Sequence, residues 1–177
     1  MGGEISREIF ERGHAAACLL YDPDLEKLVL IEQFRTGAYA ALASPWFDEA
    51  ETSPWLIEIV AGIIEDGEDP EAVVRREALE EAGCEIGRIE PLFHYLVSPG
   101  GSSESMFVFV GRVDASNAGG VHGLAAEGED IRVLAVDVAE AFEMLDRGRI
   151  FNSMTMIPLQ WFRAHHGDLR SRWLESG

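Results

Sequence analysis

Three features of the 177-residue chain predict an α/β fold, with a mixed β-sheet sandwiched between helices. Apolar runs of strand length recur between turn-forming residues, a strongly capped helix interrupts them between Asp69 and Gly83, and two amphipathic helical stretches close the chain. At this length a single domain over residues 1–177 is expected, long enough to bury a substantial core.

Residues 4–13, EISREIFERG, carry mixed charge with no deciding period and read as an edge strand or a short helix. Residues 15–21 and 28–33 are apolar runs separated by Asp22, Pro23 and Asp24, which predicts a hairpin in the sheet. Residues 36–55, with small residues, two prolines and acids, read as a loop ending near Trp55. Within it ALASPWFDEA, residues 41–50, looks like an insert that shapes a pocket or lengthens the surface. Trp46 and Trp55 are candidates to stack on a base, although an aromatic beside a strand is more often core. Residues 56–61 then form a buried strand.

The next helix carries its own punctuation. Asp69 suits the N-cap, Pro70 the first helical position, where no N–H is needed, and Glu71 the positive end of the dipole. Gly83 closes the helix. At about 100° per residue, Glu77, Glu80 and Glu81 share one arc. The i,i+4 pair Glu77 and Glu81 destabilises a bare helix by roughly 0.2–0.5 kcal/mol, so the cluster needs solvent screening or a cation. Carboxylates and water are the ligands of Mg²⁺ and Mn²⁺, often with substrate phosphates, which points to phosphate chemistry. The alternative is a solvated helix face on which Arg76 pairs with Glu80.

Beyond the helix, residues 86–97 read as one strand, or two pieces broken near Pro91. In SPGGSSE, residues 98–104, Pro99 fixes φ while Gly100 and Gly101 open turns closed to other residues, so the loop can approach a ligand or simply connect two strands. Residues 106–113 read as an apolar strand and residues 114–130 as a mobile loop ending in the acids Glu127, Glu129 and Asp130. His122 is a rival base within that loop, although a lone histidine is more often structural. Residues 131–138 form a last strand, residues 139–147 a short helix ended by Gly148, and residues 153–166 a second helix capped by Asn152 or Ser153. Met154, Ile157, Trp161 and Phe162 make its core stripe, with Pro158 kinking the helix or shifting its start.

The net charge of −18 opposes binding to nucleic acid or an anionic membrane, and it would repel a diphosphate, so metal ions and placed arginines must supply local positive charge. Cys18 and Cys84 form neither a CxxC pair nor a disulfide framework and read as reduced core thiols. The N-terminus lacks a signal-peptide core and no run is long enough for a membrane span, which makes a cytoplasmic protein the expectation.

Gly62, Glu68, Arg76, Glu77, Glu80, Glu81 and Gly83 match every fixed position of the Nudix box, Gly-x5-Glu-x7-Arg-Glu-U-x-Glu-Glu-x-Gly-U. Ala78 and Cys84 stand at bulky aliphatic positions and read as packing changes. The chain therefore resembles the Nudix hydrolases, which implies the Nudix fold and hydrolysis of a nucleoside diphosphate linked to another group. The resemblance makes Glu77, Glu80 and Glu81 metal ligands, with the Ala61 carbonyl and Glu104 completing the set for two or three Mg²⁺ ions, Mn²⁺ being possible. It makes Gly62 a loop hinge and Glu68 and Arg76 an orienting pair.

Pro99, fifteen residues beyond Cys84, and the segments WLIEIVAG, SPGGSSE and HGLAAEGEDIRV are similar to the ADP-ribose pyrophosphatase subfamily. By that likeness Arg35, after the Glu-Gln pair of IEQFR, contacts substrate, and so do Arg7 and the Pro99-Gly100-Gly101 loop. The same likeness makes Glu127 the general base, with Glu129 as runner-up. The subfamily implies a homodimer that exchanges a longer N-terminal segment; this sequence begins just before REIFERG, which implies a truncated chain or a smaller dimer. The alternatives are hydrolysis of GDP-mannose or ADP-glucose and, in a different class, a sensor that binds ADP-ribose without cleaving it. A sensor would have lost a box glutamate or gained a helix-turn-helix, and the sequence shows neither.

Overall fold

The computed structural model describes residues 3–47, 52–124, 128 and 130–175. Strands β1 (Ala15–Asp22) and β2 (Lys27–Phe34) form the expected hairpin, with Leu20 opposite Val29 and Asp22 opposite Lys27. The turn acid Asp22 is buried but satisfied: Oδ1 accepts from the N–H groups of Asp24 (2.9 Å) and Leu25 (3.0 Å), and Oδ2 from that of Ala115 (2.8 Å).

Away from the turn the two strands part, and a second pair fills the gap. β3 (Trp55–Glu58) pairs with residues 31–34 of β2, and β4 (Val60–Ile63) with residues 15–18 of β1. The single strand expected over residues 56–61 is thus two strands. They bend at Ile59, whose N–H donates to Thr155 Oγ1 (3.2 Å) instead of a ladder partner. Gly62 lies within β4, so it is a strand residue and not a loop hinge.

On the other edge of β1 lies β6 (Ser105–Arg112), in parallel, and then β5 (Ile89–Leu96), antiparallel to β6. The β5 register shifts between Pro91 and Phe93, as suits a proline with no N–H for the ladder. β8 (Ile131–Asp137) pairs with β2, and the two-residue β7 (Val121–His122) with β8, inside the stretch expected to be loop. The order is β5-β6-β1-β2-β8-β7, a mixed sheet of eight strands among the described residues, counting β3 and β4.

Successive residues of β1 enter opposite cores, and the strand reads as a continuous apolar run because both faces are covered. Ala16, Cys18 and Leu20 meet Val73, Val74, Ala78 and Ala82 of α2 (Pro70–Ala82). Ala17, Leu19 and Tyr21 meet Leu145 of α3 (Val138–Asp146) and Leu159, Phe162 and Trp173 of α4 (Ser153–Glu175). The result is an α/β/α sandwich. Ala78 and Cys84 are both buried in the α2 core, and both cysteines are free thiols.

Two helices depart from expectation. Residues 36–42, read as loop, form α1 (Thr36–Leu42); none of its residues is buried, so no apolar stripe marks it, and its alanines favour helix on their own. α4 runs past residue 166, where the expected helix ends, and through Gly167, because Leu169 and Trp173 bury completely against the sheet. Asn152 caps it through Oδ1 and the N–H of Thr155 (3.0 Å), and Pro158 lies inside it. The buried stripe is Thr155, Pro158, Leu159, Phe162, Leu169 and Trp173; Ile157 is exposed, and Met154 and Trp161 are half-buried. Residues 3–14 form neither strand nor helix and meet the rest through an isolated bridge, in which Phe10 N–H donates to the Gly101 carbonyl (2.8 Å), and through the pairs Ser103–Glu11 and Arg12–Glu104.

Candidate active site

The caps of α2 are those its sequence predicts. Asp69 accepts from the N–H groups of Glu71 (3.1 Å) and Ala72 (3.2 Å), and Gly83 takes φ +63°. A β-carbon on Gly83 would fall 2.8 Å from Cε1 of His122, and Gly123 N–H donates to the Glu80 carbonyl (3.3 Å). The C-terminal turn of α2 therefore anchors β7 and Gly123. His122 is spent on this packing and on a bond with the Gly119 carbonyl (2.9 Å).

A cavity of about 860 Å³ lies where β1 and β2 part. Glu77, Glu80 and Glu81 line it from α2, Ala61 and Gly62 from β4, and Glu104 from the loop before β6. Glu81 is buried, and its Oε2 accepts from Ala61 N–H (3.0 Å). The guanidinium of Arg76 bridges Glu77 Oε1 (2.7 Å) and Glu80 Oε2 (3.1 Å) and lies 3.9 Å from Glu68. Partial burial opposes its charge, but Glu77 and Glu80 more than offset this and hold Arg76 above its ordinary pKa. The helix-surface pairing of Arg76 with Glu80 is thus present, and the three carboxylates line one cavity.

Among the described residues no three His, Cys, Asp or Glu side chains converge on one point; Glu77 and Glu80 pair with Arg76, and Glu81 with the Ala61 N–H. The donor set nevertheless suits a hard divalent cation, with three helix carboxylates and Ala61 of β4 lining one cavity. Gly62 completes this cradle, since a β-carbon there would fall 2.6 Å from Cγ of Glu77 and nearer still to its carboxylate.

Arg35 lines the same cavity and is paired with Glu58, its Nε and Nη2 lying 2.9 and 2.8 Å from Glu58 Oε2. Glu104 lies 3.6 Å from Arg12. Arg7 is exposed, outside the cavity lining, and donates to the Ser6 carbonyl (2.8 Å). Pro99, Gly100 and Gly101 are exposed in a turn closed by Gly101 N–H to Ser98 O (3.1 Å), also outside the lining. Neither glycine has a positive φ, so this backbone is open to other residues, contrary to expectation. Glu127, Glu129 and residues 48–50 of the insert lie outside the described residues. Trp46 is exposed and Trp55 packs on Phe34 (5.8 Å); neither lines the cavity.

Sequence reasoning missed Arg12, Glu58, Glu65 and the start of α4 (Asn152, Ser153 and Met154), all in the cavity wall. Glu58 alone carried a signal, as the single charge inside the apolar run WLIEIVAG.

A family model described as NUDIX domain matches residues 11–153. The ADP-ribose pyrophosphatase of Escherichia coli (strain K12) is 50% identical over 173 residues, covering 98% of this chain and 78% of that protein. The ADP-ribose pyrophosphatase of Haemophilus influenzae is 38% identical over 174 residues, with 98% and 77% covered. The GDP-mannose pyrophosphatase of Escherichia coli (strain SMS-3-5 / SECEC) is 36% identical over 163 residues, with 90% and 78% covered. Among the described residues no helix is long and apolar enough to cross a membrane. With the box glutamates gathered in one cavity and the family model spanning most of its length, the chain belongs to the Nudix family.

Proposed function

We propose that this chain hydrolyses the diphosphate of ADP-ribose to AMP and ribose 5-phosphate. What carries the reading is the gathering of Glu77, Glu80, Glu81 and Ala61 with Arg12 and Arg35 in one cavity, in a chain half identical to an ADP-ribose pyrophosphatase. The lower identity to a GDP-mannose pyrophosphatase keeps that nucleotide sugar as the second reading.

Glu77, Glu80, Glu81, Glu104 and the Ala61 carbonyl would hold two or three Mg²⁺ ions, and Mn²⁺ suits the same oxygens. Bound there, such ions neutralise the diphosphate and stabilise charge developing on phosphorus oxygens. Arg35 and Arg12 bind the anionic substrate in a chain whose net charge would otherwise repel it. Glu127, or Glu129 in its place, takes the proton of the attacking water onto its carboxylate. As the water oxygen bonds to one phosphorus, the bridging oxygen leaves with the other phosphate. Glu68 holds Arg76 from the far side of the glutamates. Arg7 and the Pro99–Gly101 turn belong to this reading only if the homodimer, also proposed, brings them to a partner's cavity.

The test is steady-state hydrolysis of ADP-ribose, GDP-mannose, ADP-glucose and NADH with Mg²⁺, with light scattering for the oligomeric state. ADP-ribose should have by far the highest kcat/KM. A higher value for GDP-mannose would replace this reading with the second, and binding of ADP-ribose without turnover would make the protein a sensor.

A further inference from the structure

We infer that Glu58 is a positioning residue that sets the Arg35 guanidinium for the substrate diphosphate. The inference rests on the proposed function, because it presumes a diphosphate in the cavity. Glu58 is almost fully buried at the end of β3, opposite Ile31, and Arg35 follows β2 directly, so its side chain reaches back along β3 to the carboxylate. Three donors meet one oxygen: Arg35 Nε (2.9 Å), Arg35 Nη2 (2.8 Å) and Gln33 Nε2 (3.2 Å) all approach Glu58 Oε2. Gln33 is itself buried.

This geometry uses one edge of the arginine fork. Nη1 has no partner among the described residues, and the side chain is 41% exposed. Arginine has a long, rotamer-rich stem, and ordering it during binding costs affinity. A carboxylate beneath two of its nitrogens makes that ordering a property of the free protein. The remaining donors stay in the cavity, where a planar fork suits phosphate oxygens.

Holding a carboxylate there is unfavourable in itself. Burial pushes Glu58 above the ordinary carboxylate range, with Arg35 opposing the shift. A purely structural ion pair at this depth contributes little, and apolar residues would serve as well. Orientation of Arg35 is the return that explains an acid in a strand otherwise suited to Leu or Ile.

The test is a double-mutant cycle on the full chain with Glu58→Gln, Arg35→Ala and the double variant, reading KM, kcat and Tm with Mg²⁺. Glu58→Gln should raise KM for ADP-ribose about tenfold, a loss of binding common to ground and transition states, with kcat within about twofold. Its Tm should not fall, since the arginine left behind is solvated. In the Arg35→Ala background the same change should move KM by less than about twofold, because a group acting through Arg35 has nothing left to act on. An unchanged KM in Glu58→Gln, or an equal factor in both backgrounds, would overturn the inference. If the unaltered protein does not cleave ADP-ribose, the functional reading fails separately. The cycle is then read on calorimetric binding of inorganic pyrophosphate with Mg²⁺, where additivity or no binding overturns the positioning role and loss of coupling with Arg35 removed supports it.

Discussion

Gly62 on β4 and Glu77 on α2 lie so close that a β-carbon on the glycine would sit 2.6 Å from Cγ of the glutamate. The missing side chain is what lets the acid lie against the strand beside Ala61. The obstructed group is the far end of a flexible side chain, not backbone, so Gly62→Ala should displace the carboxylate without unfolding the protein. We expect kcat to fall roughly 10²-fold, the scale of a displacement of about 1 Å at a reacting centre, with Tm little changed. A large fall in Tm with kcat retained would show that Gly62 serves packing instead.

Glu81 is buried and accepts from Ala61 N–H. In Glu81→Gln an amide oxygen can accept that bond, so the fold is kept while a negative charge is lost from the cavity wall. The expected outcome is a kcat loss of roughly 10²–10³-fold, the scale of losing one electrostatic contact at an active centre. Calorimetry should show weaker Mn²⁺ binding, and unchanged binding would remove Glu81 from the ligand set.

Both apolar cores form without help from the acidic wall. Chelation should therefore abolish activity while leaving far-ultraviolet circular dichroism intact, and excess Mg²⁺ should restore activity and raise Tm by mass action. Loss of the dichroism signal on chelation would make the cation structural.

Glu90 ties β5 to the end of α4. It accepts from Arg172 Nη1 and Nη2 (both 3.0 Å) and from Trp173 Nε1 (2.6 Å). The Arg172 bonds, against some burial and helped by Trp173, hold Glu90 below its ordinary 4.5. A depressed carboxylate contributes stability that is complete above the unfolded value and lost as pH falls through the folded one. Acid unfolding of the unaltered protein should thus steepen below about pH 4.5, and Glu90→Gln should flatten that limb. Parallel curves for the two proteins would refute the assignment.

Glu127 and Glu129 are separable by kinetics. Replacing the true base by Gln should lower kcat by roughly 10²–10⁴-fold, and the other replacement should cost far less. Equal small effects would return attention to another base.

What the sequence determined by itself was local. The β1–β2 hairpin and the α2 helix were legible because Asp22, Pro23, Asp24, Asp69, Pro70 and Gly83 act on their immediate neighbours. The alignment of Glu77, Glu80 and Glu81 followed from helical periodicity. Tertiary structure decided whatever joins distant residues. Ile59 bends away from the sheet toward Thr155, α4 outlasts Gly167 because Trp173 finds a core, and Gly62 is small for the sake of Glu77. Arg35 meets Glu58, and Arg12 meets Glu104, only when strands and loops far apart in the chain are packed together. No short-range period records such pairs, because their energy comes from burial and charge shared across the fold.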